Sequence, residues 1–282
     1  MRGKDKIICI AGKNKCAIEC LSFMINKYKN TKILALPNTS DKGIDGWQKS
    51  FKKFAKNKKI QIIELKNLYN LKNLYLFSIE YEKIIDIKKF NSNRLFNIHF
   101  SLLPKYRGCH TNFFQIFNGE KKTGVTLHKI DKGIDTGDII FQKYVNFDRG
   151  EQTFKDTYTR LVEEVEQMFE DGLDTILNGR FVPIVQRGDG TFHSSGELPS
   201  EFSNWDVNIY DEIKRLEKLG AVQSTNKIKI IDEIEAVRAN NNVNWMDLLR
   251  LAFTAAPKDA KEIVKRINHD DGRISDLLKK LG

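Results

Sequence analysis

Apolar runs and helically spaced apolar positions take turns along the first two thirds of the chain. Residues 6–11 form a short apolar run closed by Gly12, which predicts a strand. Ala17, Leu21, Met24 and Ile25 recur at helical spacing within 16–28, so a helix follows. Residues 33–36 read as a second strand, stopped by Pro37, and the Asn-, Ser-, Asp- and Gly-rich stretch 38–46 reads as a loop. Phe51, Phe54 and Ala55 predict a helix over 47–57; 60–65 and 74–78 predict strands, with Ile84 and Ile85 near a turn. Further on, 95–100 is a strand, 111–117 a helix, and 123–129 and 138–145 are two strands flanking a loop. The longest helical pattern is 153–177, from Phe154 to Ile176, ended by Gly179. Strands alternating with helices before residue 90 predict an α/β domain with a mostly parallel, Rossmann-like sheet. The later strand pair makes the sheet mixed.

After residue 186 the character changes. Residues 186–204 are polar and Gly-rich and read as a linker. Helical patterns then cover 207–219, 228–240, 245–254, 258–267 and 273–281. The expected organisation is an α/β domain over 1–200 followed by a small helical C-terminal module over 201–282, its role unassigned.

Composition narrows the picture only a little. A chain of 282 residues with 40% hydrophobic content can bury a full core. No apolar run approaches eighteen residues, so no membrane span is expected. The start leads straight into a strand without a leader-like apolar region, so a cytoplasmic location is expected. Cys9, Cys16, Cys20 and Cys109 form no Cys-x-x-Cys pair and have no His partner at zinc spacing, so they read as reduced thiols. No metal site is expected. The net charge of +10 permits nucleic acid, but lysine is scattered through the whole chain. A small anionic substrate fits better, and a nucleic-acid partner is not expected. Neither a Gly-x-Gly-x-x-Gly nor a P-loop is present, which argues against a dinucleotide cofactor and ATPase chemistry.

The chemistry concentrates in two stretches. Residues 96–108 read Phe-Asn-Ile-His-Phe-Ser-Leu-Leu-Pro-Lys-Tyr-Arg-Gly, and Asp135 follows within Gly-Ile-Asp-Thr-Gly-Asp-Ile-Ile. On a strand over 95–100, Asn97 and His99 share one face. An amide and an imidazole side by side, with a carboxylate to orient the ring, suit acyl transfer to an amine. Asp138 is the rival to Asp135 and is better suited to stabilising the loop.

Asn-x-His-x-Ser-Leu-Leu-Pro-x-x-x-Gly followed by Asp-x-Gly-Asp-Ile-Ile resembles the folate-dependent formyltransferases, over roughly residues 5–200. That family includes glycinamide ribonucleotide, methionyl-tRNA and sugar-amine formyltransferases. Within it the chain is most similar to the bacterial enzymes that formylate nucleotide-linked amino-dideoxy sugars. The residues behind this are Leu36-Pro37-Asn38, the 41–50 stretch, and Gly124 to Asp131.

The resemblance implies catalytic roles for Asn97, His99 and Asp135, with N10-formyltetrahydrofolate as the formyl donor and no metal. It implies a folate slot framed by Phe77, Ser78, Ile79, Glu80, Tyr81 and Ile84 and by the 129–134 loop, Asp131 and Ile134 included. For the acceptor, Lys13 and Asn14 follow the first strand, and Trp47 and Gln48 fall in a stretch typical of sugar-directed members. Lys105, Arg107 and His110 lie in the turn after the catalytic strand, where Arg can grip phosphate. The expected activity is N-formylation of a dTDP- or UDP-linked amino sugar for surface polysaccharide (lipopolysaccharide) biosynthesis. A homodimer is left open. Two alternatives stand beside it: methionyl-tRNA formylation, and a non-catalytic binding subunit with the helical tail as its partner surface.

Overall fold

A computed structural model of the chain describes residues 6–146, 153–202 and 204–222, together with positions 254, 256, 261, 262 and 265. The chain divides into two units, Met1–Gln223 and Ser224–Gly282. The helices expected beyond residue 223 lie almost wholly outside the described residues, so the fold below is that of the first unit.

The core of the first unit is a seven-stranded sheet in the order β3-β2-β1-β4-β5-β7-β8. Its strands are β1 (Ile7–Gly12), β2 (Lys32–Pro37), β3 (Gln61–Ile62), β4 (Leu74–Ile79), β5 (Leu95–His99), β7 (Lys122–Lys129) and β8 (Ile139–Asn146). The first five run parallel, β7 pairs antiparallel with β5, and β8 pairs antiparallel with β7. The expected mixed, mostly parallel sheet is present. Helices α1 (Asn14–Lys27) and α4 (Phe154–Leu177) cover one face, where Ile8, Ile10, Phe77, Phe96 and Ile98 meet Leu21, Met24, Leu161, Val165 and Phe169. The other face, with Cys9, Ala11, Leu34, Leu76 and Leu95, packs under Leu68 and Ile85. Burial on both faces explains why β4 is apolar at every position but Ser78.

Chain order reverses between β1 and β4, and in open sheets the carboxyl ends of strands at such a point form a crevice for ligands. Gly12 lies in that crevice. A Cβ there would stand 1.9 Å from the Ile79 carbonyl oxygen, so only glycine lets the two strand ends come so close.

Three expectations need correction. The helix predicted from residue 47 is α2 (Phe51–Asn57). Ser50 caps it, and Asp41 and Asp45 accept hydrogen bonds from Ser50 and Lys52, holding the preceding residues in a loop. The strand predicted over 60–65 shrinks to β3, followed by a 3-10 turn over Leu65–Leu68.

The third correction concerns 186–204, which is a strap rather than a free linker. Ile139 and Ile184 exchange backbone hydrogen bonds of 2.8 Å, and β9 (Phe192–His193) pairs in parallel with β6 (Arg107–Gly108). Beyond it, α5 (Ile209–Lys218) and Phe202 pack against Phe113 and Phe154, the former on α3 (Thr111–Phe117). The first compact unit runs on through these residues to Gln223.

Candidate active site

The pairing of β5 with β7 brings the chemistry together. Asn97 stands opposite His128 and His99 opposite Thr126, so Asn97, His99 and His128 share one sheet face. The loop after β7 turns back over that face and presents Asp135, whose φ of 54° is left-handed. Asp131 builds this loop, accepting from the Gly133 N–H at 3.0 Å and the Thr136 hydroxyl at 2.7 Å. The turn after β5 closes the site from the other side, running through a cis Leu103–Pro104 bond to Tyr106, at φ 58°, and Gly108, at φ 91°.

The groups meet at short range. Asn97 Nδ2 donates to Asp135 Oδ1 at 3.1 Å and lies 3.1 Å from His128 Nε2. The Gly108 N–H donates to Asp135 Oδ2 at 2.9 Å, and His99 Nδ1 faces the same oxygen at 3.5 Å. His99 Nε2 is 2.6 Å from the Tyr106 carbonyl. A carbonyl only accepts, so Nε2 carries the hydrogen and Nδ1 of the neutral ring keeps its lone pair. By the same argument His128 donates from Nδ1 to the Lys129 carbonyl at 2.7 Å, leaving Nε2 to accept from Asn97.

Burial lowers the pKa of His99, outweighing the opposing pull of Asp135 and the Tyr106 carbonyl. The neutral ring is therefore favoured near pH 7. For Asp135, burial favours the protonated form, but His99 and His128, which attract the carboxylate in their protonated forms, and the Gly108 N–H hold the carboxyl well below the usual carboxylate range. The arrangement thus holds a neutral imidazole nitrogen, a carboxylate ready to favour its protonated form, and an amide on one face. It can take a proton from an attacking nucleophile and steady an oxyanion.

Of the residues singled out from the sequence, Asn97, His99 and Asp135 converge. Others lie elsewhere. Phe77 and Ile79 are fully buried on the opposite face, Phe77 stacked on Phe96 at 5.3 Å, so packing accounts for both. Ser78 pairs in register with Asn97 and is buried on the site's face. Glu80 turns away at φ 56°. Its carboxylate accepts from Tyr158 Oη at 2.7 Å and Asn14 Nδ2 at 3.4 Å, at the mouth of the β1/β4 crevice. Burial raises its pKa despite those donors and nearby Lys13. Tyr81 packs toward the second face, and Ile84 and Ile134 are exposed.

Gln48 accepts from the Lys15 N–H at 3.2 Å beside the crevice, and Trp47 is exposed with Lys155 Nζ 6.0 Å from its ring. Lys105 points outward to Glu120 at 3.5 Å, and His110 caps α3 through its backbone at φ 54°. Arg107, expected to meet phosphate, is engaged by Gln186 at 2.7 Å.

His128 was not singled out, although the pairing of a 123–129 strand beside 95–100 would have placed it opposite Asn97. The Tyr106 carbonyl and Gly108 N–H are backbone groups and leave no residue signature. The four cysteines are unpaired: Cys9, Cys16 and Cys20 are buried, while Cys109, next after Gly108, is exposed. No group of three or more His, Cys, Asp or Glu side chains suited to a metal occurs among the described residues. No helix among them is long and apolar enough to cross a membrane.

Comparison with known proteins identifies the family. The profile of the formyl transferase domain matches residues 50–172. The structure of WlaRD, a sugar 3N-formyl transferase crystallised with dTDP and 5-N-formyl-THF, is 42% identical. The match covers 70% of this chain and 72% of that one, at a TM-score of 0.66. The chain belongs to the formyltransferase family. A second formyltransferase structure, from Helicobacter canadensis in complex with folinic acid and dTDP-3-aminofucose, is 38% identical. It matches 67% of this chain and 71% of that one, at a TM-score of 0.65.

Two curated relatives are matched over a smaller share of their length. The bifunctional polymyxin resistance protein ArnA of Wigglesworthia glossinidia brevipalpis is 34% identical over 184 residues, 60% of this chain and 28% of that protein. Methionyl-tRNA formyltransferase of Mesoplasma florum is 33% identical over 138 residues, 48% of this chain and 43% of that one. The chain thus spans less than half the length of these two relatives.

Proposed function

We propose that the protein is an N-formyltransferase that moves the formyl group of N10-formyltetrahydrofolate to the amine of a nucleotide-linked amino-dideoxy sugar. The observation that carries the chemistry is the convergence of Asn97, His99 and Asp135 on one face, with His99 neutral and Nδ1 unprotonated. The neutral amine attacks the formyl carbon and a tetrahedral oxyanion forms. Asn97 is the side chain placed to donate to that oxygen, giving up its bond to His128 or Asp135 as it does so; losing such a donor costs about 3 kcal/mol. His99 Nδ1 takes the proton that the amine sheds, and Asp135 stabilises the imidazolium. Collapse of the intermediate releases tetrahydrofolate, its N10 accepting a proton. The chemistry needs no metal.

The sugar acceptor is supported by the polar crevice at the ends of β1 and β4, where Lys13, Asn14, Gln48 and Glu80 gather one strand away from His99. It is supported too by the two sugar-directed relatives above, one crystallised with dTDP and one with a dTDP-amino sugar. A dTDP-linked 3-amino sugar is accordingly the first acceptor to try, and synthesis of a cell-surface glycan in the cytoplasm is the setting it implies. Methionyl-tRNA is the second reading, favoured by the curated relatives.

The test offers the protein N10-formyltetrahydrofolate with dTDP-3-aminofucose, UDP-linked 4-amino sugars, glycinamide ribonucleotide and Met-tRNA in separate assays. Formylation of a nucleotide sugar is expected. Turnover with Met-tRNA alone would replace the sugar reading, and no turnover with any acceptor would favour a binding role.

A further inference from the structure

The Asp135 loop and the turn carrying Tyr106 to Gly108 touch the two ends of the site, and of these residues only Arg107 and Gly108 lie in a strand. Asp135 and Tyr106 both sit at left-handed φ, which non-glycine residues hold only with outside support. Asp131 supplies part of that support from within the loop. Beside the direct bond from the Gly108 N–H to Asp135, a second tie between loop and turn comes from Gln186, on the strap.

The Gln186 amide is fully used. Its Oε1 accepts from Arg107 Nη2 at 2.7 Å and Nε at 3.3 Å. Its Nε2 donates to the carbonyls of Asp135 at 2.9 Å and Gly137 at 2.7 Å. Two donors and two acceptor sites are all that an amide has. One side chain therefore bridges the arginine of the turn to the backbone of the loop. The strap itself is anchored on both sides of Gln186. Ile184 bonds to Ile139 upstream; downstream, the Thr191 carbonyl accepts from Arg107 N at 2.8 Å and the Thr191 hydroxyl from Tyr106 N at 2.7 Å.

We infer that Gln186 is a positioning residue for formyl transfer. By fixing the Asp135 loop against the turn, it sets the separation across which Asp135 faces His99. Its four hydrogen bonds are all to the protein, and it acts through Asp135. The inference rests on the proposed activity for its catalytic meaning, but its geometric content can be tested without turnover.

The charged and titratable groups facing His99 are Asp135 from the loop, His128 from β7 and Arg107 from the turn. Asp135 raises the pKa of His99, while His128 and Arg107 lower it. Removing the Gln186 bridge lets Asp135 move off and frees Arg107 to approach its carboxylate. Both changes lower the His99 titration midpoint further.

The experiment follows the His99 ring carbon resonance against pH in the full-length protein, its Gln186→Met variant and its Gln186→Leu variant, with thermal melts alongside. It also measures kcat and KM with N10-formyltetrahydrofolate and dTDP-3-aminofucose. The expected result is a lower His99 midpoint in the variants and a kcat about 10- to 100-fold down, as for misplaced catalytic groups. KM for either substrate should change less than about threefold, since binding contacts are kept. If Gln186→Met fails to fold, the shorter Gln186→Leu carries the test. An unchanged His99 midpoint in a folded variant overturns the inference whether or not any acceptor turns over. A lowered midpoint with a kcat equal to wild type overturns it as well. A lowered midpoint in a protein whose wild type formylates nothing upholds the positioning and sinks only the proposed activity.

Discussion

His99 shows how burial and charge divide the work at a single residue. Burial keeps the ring neutral, and the nearby carboxylate of Asp135 limits how far its pKa falls. A base that must be neutral works above its pKa. The acid limb of kcat/KM should therefore lie below about 6.5, the ordinary histidine value, in a pH–rate profile. Replacing Asp135 by Asn removes the influence that raises the His99 pKa. The acid limb should then move to still lower pH while the plateau falls at least about a hundredfold, in line with lost acid–base help. A profile that stays put, or a near-normal plateau, removes Asp135 from the role given to it. At this scale the sequence was informative where chemistry rests on side chains in a distinctive spacing, as with Asn97, His99 and Asp135. It was uninformative where the partner is backbone, as with the Tyr106 carbonyl that fixes the tautomer.

Elements were legible where apolar spacing and an end signal agree. The 153–177 helix is α4, started by the Thr153–Asp156 capping box, and the 111–117 helix is α3. Legibility failed where tertiary hydrogen bonds decide. Phe77 and Ile79, expected to frame a folate slot, lie in the core, and 186–193 carries no apolar period although Phe192 and His193 pair with the turn after β5. Close approach is another element-scale property that a sequence conceals. A Cβ at Gly137 would stand 1.8 Å from the Lys129 carbonyl oxygen, so the Asp135 loop can return against β7 only because that residue is glycine. Gly137→Ala should push the loop off the strand, costing about 1–3 kcal/mol of stability as overpacking does. Thermal unfolding measures that cost. Activity should fall by more than the loss of folded protein explains, and equal losses would show that the loop tolerates the shift.

For the whole molecule, the sequence foresaw an α/β domain, and the compact unit that holds it runs on to Gln223. Gly-rich composition after residue 186 resembles a boundary, yet the aromatic residues beyond it complete a cluster inside the first unit. Phe113 lies 5.6 Å from Phe154 and 5.1 Å from Phe202, and Trp205, Ile209 and Leu216 close around them. A chain ending at residue 200 should be less stable than one ending at 223 by more than about 5 kcal/mol. That figure follows from exposing several large apolar side chains at about 1.5–3 kcal/mol each. Melts of the two truncated proteins decide this, and equal stability would show that 202–222 add nothing to the core.

The distribution of thiols turns the same architecture into a gauge. Three of the four cysteines are enclosed and only Cys109 meets solvent, one position beyond the amide that holds Asp135. Alkylation at mildly alkaline pH should thus add a single label to the native protein and four to the unfolded one, so counting adducts by mass reports the folded fraction. Because that single label attaches at the rim of the proposed chemistry, its rate of attachment also reports occupancy. A bound folate or nucleotide sugar that covers this rim will slow the modification before any product has been made.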